Sequence, residues 1–551
     1  MNVEDHDDPA DYVWESSEVV DVTLNGEAIT VNPAGSATVT GNKVTITTAA
    51  TYRITGSLTE GQVIVDTEDE DTVRLILNGV DITCTTSSPV YVEKSKKVII
   101  ILQENTQNSV TDGTSYILEP DTDEPNAAIF SKANLTIFGT GSLNVNANYN
   151  DGIASKDGFI VKSGIVTVTS VDDGIRGKDY LVIKDGTITL NVGGDGLKSD
   201  NDADAEKGYV SVENGVIHIT SEGDAISAET DVIITGGEIT LTSGGGYTNI
   251  DNITRSAKGI KGLVNVIVDG GTISADCADD AFHSNMNITI NSGAIVVLTG
   301  DDGFHADTHL TFNGGIINIM QSYEGVESSV ITINNGHIHI EASDDGINVV
   351  DADLEGPADP FDPPAEGVWL HVYGGYTVVS SGGDGLDSNG NMDMTGGTMI
   401  VNGPPEFETA IDRGFGNFTM VGGTLVAAGS SMMAQGPSNT STQYSVIINL
   451  NRSQTPRLIN LQTTSGEVLF TFMPTKAFQT IVYSSPQLAP ASYSLYLGGS
   501  STGTPTDGLY EGGIYTPGTK YITFTISEIV TTIGRSIFPG GGFFGGGGGG
   551  P

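Results

Sequence analysis

Nine times the chain repeats an acidic residue, a Gly or Ala, a large apolar residue, a variable residue and then a small one. The copies begin at Asp151, Asp173, Asp195, Asp224, Asp280, Asp302, Glu324, Asp345 and Asp384; Lys258-Gly259-Ile260 is a variant without the acid. Carboxylates in this number, with no Ser-His or Cys-His triad, phosphate loop or dinucleotide fingerprint beside them, point to cation coordination rather than nucleophilic chemistry. The acid is doubled at Asp172-Asp173, Asp279-Asp280, Asp301-Asp302 and Asp344-Asp345, and Asp200, Asp202, Asp307 and Asp387 lie just beyond the repeat. Such sets supply the six to eight oxygens that Ca²⁺ prefers. The expected ligands are therefore Asp151, Asp172, Asp173, Asp195, Asp200, Asp202, Asp224, Asp279, Asp280, Asp301, Asp302, Asp307, Asp344, Asp345, Asp384 and Asp387, serving several ions. Sites near Asp172 to Asp202 and near Asp279 to Asp307 are favoured.

Two positions after the repeat's Gly or Ala stand Arg176 and Lys198, then Lys261, His283 and His305. A basic ladder beside an acidic column can bind an acidic sugar, or it can neutralise its neighbours in ion pairs. His283 and His305 alone are a weak signal for a transition metal.

The elements that must hold these residues follow from the spacing. Repeats succeed one another at 21 or 22 residues, and larger spacings hold loops such as 202–207, 244–255 and the proline-rich acidic stretch 351–366. A unit of that length, with short β-branched runs between Gly and Asn turns, reads as one coil of a β-solenoid. Alternation along a strand turns the large and the small residue inward. The interior stacks are then Ile153, Ile175, Leu197, Ile226, Ile260, Phe282, Phe304, Val326, Ile347 and Leu386, and Ser155 through Ser388 at the small position. Stacking at roughly 4.8 Å makes the acids a column. Neighbouring charges there repel by about 3 kcal/mol at an effective dielectric of about 20, unless cations or turn amides intervene. With turn amides alone, each Asp before Gly is simply a turn former.

The expected fold is all-β, a right-handed parallel β-helix over residues 20–432 with a small C-terminal β cap or sandwich at 433–535. It is flanked by an acidic segment, 1–19, and a Gly-rich tail, 536–551. The cap is expected because the run from Tyr444 to Thr532 lacks the repeat and an open solenoid end must be covered.

Composition narrows the function. A formal net charge of −46, from 69 acidic and 23 basic residues, excludes nucleic acid and anionic membrane surfaces as partners. Millimolar calcium affinity suffices only outside the cell. Cys84 and Cys277 lack metal-ligand spacing and read as small buried residues. No run approaches a membrane span, and Met1 to Trp14 lacks the basic and apolar regions of a signal peptide, so a secreted chain is expected here in processed form.

The Asp-Gly-Ile/Leu/Phe-x-Ser/Ala repeats, the interleaved Gly-Gly turns, the ending Leu509-Tyr510-Glu511-Gly512-Gly513 and the Gly-rich tail carry a resemblance. From about Val20 to Thr532 the chain resembles the bacterial cell-surface carbohydrate-binding proteins with a pectate-lyase-like parallel β-helix, described in clostridia. The resemblance implies a right-handed helix, bound calcium, and binding of plant cell-wall polysaccharides such as polygalacturonate or cellulose without established catalysis. It carries over only the acidic repeat positions, as calcium ligands. A secreted or surface-attached polysaccharide binder is the expected function, with Arg176, Lys198, Lys261, His283 and His305 as candidate sugar contacts. Scarce aromatics favour uronate-rich chains. The alternatives are a calcium-stapled filament or adhesin joined through solenoid ends, and, because similar β-helices place a calcium cluster beside an arginine base, a calcium-dependent polyuronate lyase with Arg176, beside Asp172, Asp173 and Asp195, as its one candidate base.

Overall fold

The structure is a computed structural model, and it describes residues 2–118, 120–351 and 363–535. Most of the acidic proline-rich loop, 352–362, and the Gly-rich tail lie outside the described residues. The described chain is nearly all strand, with short 3-10 turns at Pro9–Tyr12, Ser16–Glu18 and Tyr247–Asn252. It divides into two units, Met1–Ala306 and Asp307 onward.

In the first unit, after opening strands that include two antiparallel hairpins, each strand from Val90–Lys94 to Phe282–Ser284 pairs in parallel with the strand three places further on, so three ladders interleave along the sequence. The first ladder takes the acidic repeat: Ala127–Ser131, Asp151–Ser155, Ile175–Gly177, Leu197–Ser199, Ile226–Ala228, Ile260–Gly262 and Phe282–Ser284. A second ladder runs from Asn134–Gly139 through Gly158–Val161, Tyr180–Ile183 and Tyr209–Val212 to Asn287–Ile290. The third runs from Ser142–Ala147 to Ala294–Thr299.

The register is the one that the alternation predicts. Ile153, Ile175, Leu197, Ile226, Ile260, Phe282 and Phe304 pair in order and are fully buried. Every third-ladder strand from Thr187–Val192 to Ala294–Thr299 buries alternate residues, the pattern of a sheet with one face to solvent. Between the second and third ladders the chain turns at glycines stacked on one another. At Gly215, with φ +112°, a Cβ would lie 2.8 Å from the Gly186 carbonyl oxygen, so neither the backbone angle nor the space admits a side chain.

The stack sets a stability prediction. The Phe282 ring lies 4.5 Å from that of Phe304, nearly parallel, with no exposure. Phe282→Ala is expected to cost about 3–5 kcal/mol, read as a lowered denaturation midpoint.

The second unit repeats the scheme with Val326–Ile333, Ile347–Val349, Leu386–Ser388 and Ile411–Asp412 on its first ladder. Its third ladder, through Tyr376–Ser381, Thr398–Asn402 and Thr424–Gly429, is buried on both faces. The cause is in the C-terminal strands. Phe478–Ser484 joins Thr424–Gly429 in antiparallel pairing and also pairs with Ser445–Gln454. A separate antiparallel sheet, including Ile459–Thr463, Val468–Phe472, Ser492–Ser501 and Tyr515–Thr525, packs Phe470, Phe472, Tyr493 and Leu495 into the same cluster as Val378, Ile400 and Val426.

Candidate functional site: a carboxylate column with and without cations

Each repeat acid sits just before its first-ladder strand, or, as Asp151, at its first residue. Asp151, Asp173, Asp224, Asp280 and Asp302 are all buried. One carboxylate oxygen accepts a backbone N–H from the next repeat: Asp195 N to Asp173 Oδ1 at 2.9 Å, Asp224 N to Asp195 Oδ1 at 2.9 Å, and Lys258 N to Asp224 Oδ1 at 2.8 Å. The acid therefore serves the backbone as a turn former.

The other oxygen meets a cationic side chain. Arg176, Lys198, Ser227, Lys261, His283 and His305 follow one another in register. Arg176 binds Asp151 at 2.8 Å and Asp200 at 3.3 Å; Lys198 bridges Asp173 and Asp195 at 3.0 and 2.9 Å; Lys261 reaches Asp224 at 3.2 Å. His283 Nδ1 bonds Asp280 at 2.8 Å and His305 Nδ1 bonds Asp302 at 2.9 Å. Lys258, the variant at the acidic position, points its ammonium between Asp279 and Asp280 at 2.7 and 2.6 Å.

These pairs set the protonation states. Burial works against the charge on Lys258, yet Asp280 and Asp279 outweigh it and raise its pKa. Burial likewise opposes ionisation of Asp280, but His283 and Lys258 hold its carboxyl below the ordinary range. Asp151 is pushed up to about 7 by burial, against the pull of Arg176. Burial disfavours the Arg176 guanidinium, but Asp151 and Asp200 more than compensate and raise its pKa, whereas proton abstraction needs the neutral guanidine.

The expected calcium ligands are thus distributed unevenly. In the first favoured region, Asp173, Asp195 and Asp200 share Lys198 and Arg176, while Asp172 is half-buried and Asp202 exposed. In the second, Asp279, Asp280 and Asp301 bring one oxygen each within 4.8 Å of one another, as do the ligand atoms of Asp280, His283 and His305, but the Lys258 ammonium is already on Asp279 and Asp280. Asp307, in the second unit, accepts a hydrogen bond from Ser329 at its backbone carbonyl.

In the second unit the backbone scheme persists and the cations are gone. Asp384 N donates to Asp345 Oδ1 at 2.6 Å, and Thr409 N to Asp384 Oδ1 at 2.5 Å. The ladder position now carries Glu327, Asn348, Asp387 and Asp412 in register. No described lysine or arginine pairs with Asp345, Asp384 or Asp387. Between Asp307 and Asp412 the sequence holds eighteen acidic residues and neither lysine nor arginine. Burial, with Asp344, Glu408 and Asp412 nearby, pushes Asp345 up to about 6. Burial, with Asp387, Asp345 and Asp412, pushes Asp384 up to about 9. Burial, with Asp345 and Asp412, pushes Asp387 up to about 7. Asp344, beside Asp345, accepts a hydrogen bond from the Tyr323 hydroxyl.

Asp412 and Glu408 escape the sequence motif because Thr409 stands where the acid should be, before Ala410-Ile411; the signal was the apolar Ile411 followed by an acid at the ladder position. The aromatics are also less scattered than they look: Trp369, His371 and Tyr373, alternate residues of one segment, stack at 5.1 and 5.6 Å.

The family match found by comparison with known proteins lies in the first unit. Residues 40–303 match the model of a family described as carbohydrate-binding domain-containing protein. A protein of that description from Acetivibrio thermocellus is 34% identical over 148 residues, 27% of this chain; the chain spans about half (52%) of that relative's length. Among solved structures, the polysaccharide lyase-like protein from C. thermocellum, as a gadolinium derivative, is 31% identical, with 45% of this chain and 96% of that one covered and a TM-score of 0.41. Over just under half its length, then, the chain is similar to carbohydrate-binding domain proteins of a clostridial type.

Proposed function

We propose that the protein is a right-handed parallel β-helix that binds an acidic polysaccharide outside the cell through calcium, without turning it over. The observation that carries this reading is the change in the carboxylate column. Where lysine, arginine and histidine side chains bond its carboxylates, the column is complete in itself. Where they are missing, Asp384 is buried and Asp345 and Asp387 are half-buried, beside Asp412, and none of the three has a lysine or arginine partner among the described residues. Burying such charges uncompensated is costly, and a hard divalent cation with oxygen ligands is the economical remedy. These residues offer calcium four carboxylates from three successive repeats, near enough to shift one another's ionisation.

A cation held at such a column keeps coordination positions for carboxylates of a second polymer, and in a chain of net charge −46 it offsets the repulsion of a polyuronate there. Interleaved parallel ladders with a three-strand period support the helix, and L-residue chirality supports its hand. The similarity to carbohydrate-binding domain proteins supports the ligand class.

The test is affinity for polygalacturonate by calorimetry, with calcium and with chelator. Binding in calcium is expected to fall at least tenfold in D384N/D387N and to leave no unsaturated product absorbing in the ultraviolet. Unchanged affinity in that variant, or steady product formation, would contradict the reading.

A further inference from the structure

We propose that the outer face of the second ladder in the first unit, from Lys97 to Tyr209, is a separate, calcium-independent site for an extended polyanion. In this proposal the acidic segment Asn2–Trp14 occupies the site as an internal stand-in for that ligand. The choice of a uronate polymer as the ligand rests on the function proposed above; the occupancy by the segment does not.

Lysines are scarce in this chain, yet Lys97, Lys162 and Lys184 all converge on this strip, with Arg74 at its end. Each is met by an acid of the segment: Lys184 by Asp5 at 2.8 Å, Lys162 by Asp7 at 2.7 Å and Lys97 by Asp11 at 2.6 Å. Arg74 donates to the Asp11 carbonyl at 2.6 Å. Between the charges lie polar and aromatic groups. His6 joins the Tyr180 hydroxyl and Thr136 at 2.8 Å each, the Tyr209 hydroxyl donates to the Val3 carbonyl at 3.0 Å, and Tyr12 packs on Phe138 at 4.7 Å.

The manner of attachment separates a ligand-like occupant from a structural strand. The segment crosses the ladder from the Tyr209 repeat back to the Arg74 strand, and Val3 N to Glu206 O is its one backbone-to-backbone bond to the rest of the described chain. A strand added to an edge would pair through its backbone. Here recognition is by carboxylates spaced along an extended chain, held on a row of half-buried ammonium groups and on the buried tyrosines Tyr180 and Tyr209. A polymer of uronates presents the same groups. His6, held at about 4 by burial and by Lys97, stays neutral near neutral pH, so competition and salt release the segment rather than a mild fall in pH.

The test uses the full chain carrying D5N/D7N/D11N, with polygalacturonate as probe in chelator, where the calcium site contributes nothing. The variant is expected to bind at least tenfold tighter than the unsubstituted protein, with affinity falling as salt rises, and the gain is expected to vanish when K97Q/K162Q/K184Q is added. A variant that melts normally but binds no tighter in chelator overturns the proposal. Should the substitutions impair folding, hydrogen exchange supplies a second reading: K97Q/K162Q/K184Q alone is expected to speed exchange of residues 2–14, and unchanged protection overturns it. Calcium-dependent binding that survives either failure leaves the function proposed above standing; loss of binding in calcium as well removes that function too.

Discussion

Freed of divalent cations, the protein is expected to lose stability as pH rises from about 4 towards 9. In the folded chain Asp345, Asp387 and Asp384 have pKa values raised to about 6, 7 and 9, above the ordinary carboxylate value near 3.8. The native state therefore holds protons that the unfolded chain has released, and the slope of stability with pH is negative through this window. The contribution is fully present below about 3.8 and is lost as pH passes each folded value. Asp345 alone, shifted by about two units, accounts for on the order of 3 kcal/mol. Calcium at the same carboxylates reverses the balance: it flattens the profile, and its binding near pH 6.5 releases protons. Thermal melts from pH 4 to 9 with chelator and with calcium check the first part, and calorimetry in two buffers of different ionisation heat checks the second. A melt that rises with pH in chelator would contradict the account.

Removal of the Arg176 side chain is expected to cost about 3–5 kcal/mol in R176L above pH 7, because Asp151, 2% exposed, then carries a buried charge without its partner. The loss is expected to shrink in acid, where Asp151 takes a proton, and to be largely recovered by D151N/R176L. The same variant separates a neutralising role from a sugar contact. If the guanidinium only serves Asp151 and Asp200, the double variant keeps its affinity for polygalacturonate; if it grips the sugar, stability returns and affinity does not. Chemical denaturation and the calorimetric affinity, measured on the same samples, read both.

The interior stack was legible because two periods agree. A spacing of 22 residues placed Ile153 over Ile175 and Leu197, and the alternation within a strand turned Ser155 and Ser199 the same way. Where one residue broke the motif, the repeat was missed. Thr409 hid the strand Ile411–Asp412, and Ala127-Ala128 hid Ala127–Ser131, although both pair in register.

The carboxylate column was legible as a column but not as to its partners. Sequence spacing places Lys198 beside Asp173 and Asp195; it does not say whether the ammonium folds back onto them or reaches outward, since both keep the same backbone. The loss of cations after Lys261 was written in the sequence, where Arg413 is the next lysine or arginine, but the composition of the whole chain averages it away. The docking of Asn2–Trp14 had no local signal. Its partners lie between 61 and 206 residues away, and neither a period of two nor of 3.6 marks a segment that binds by scattered side chains.

The most direct test of the central claim is a calcium titration by calorimetry on chelator-stripped protein, run on the natural sequence and on D345N/D384N/D387N, and repeated with polygalacturonate present. The account predicts calcium binding that the substitutions abolish at the second-unit site, and sugar binding that tightens with calcium and disappears in D345N/D384N/D387N. Calcium binding identical in the two proteins, or none in either, would contradict it and leave Asp345, Asp384 and Asp387 as protonated turn formers.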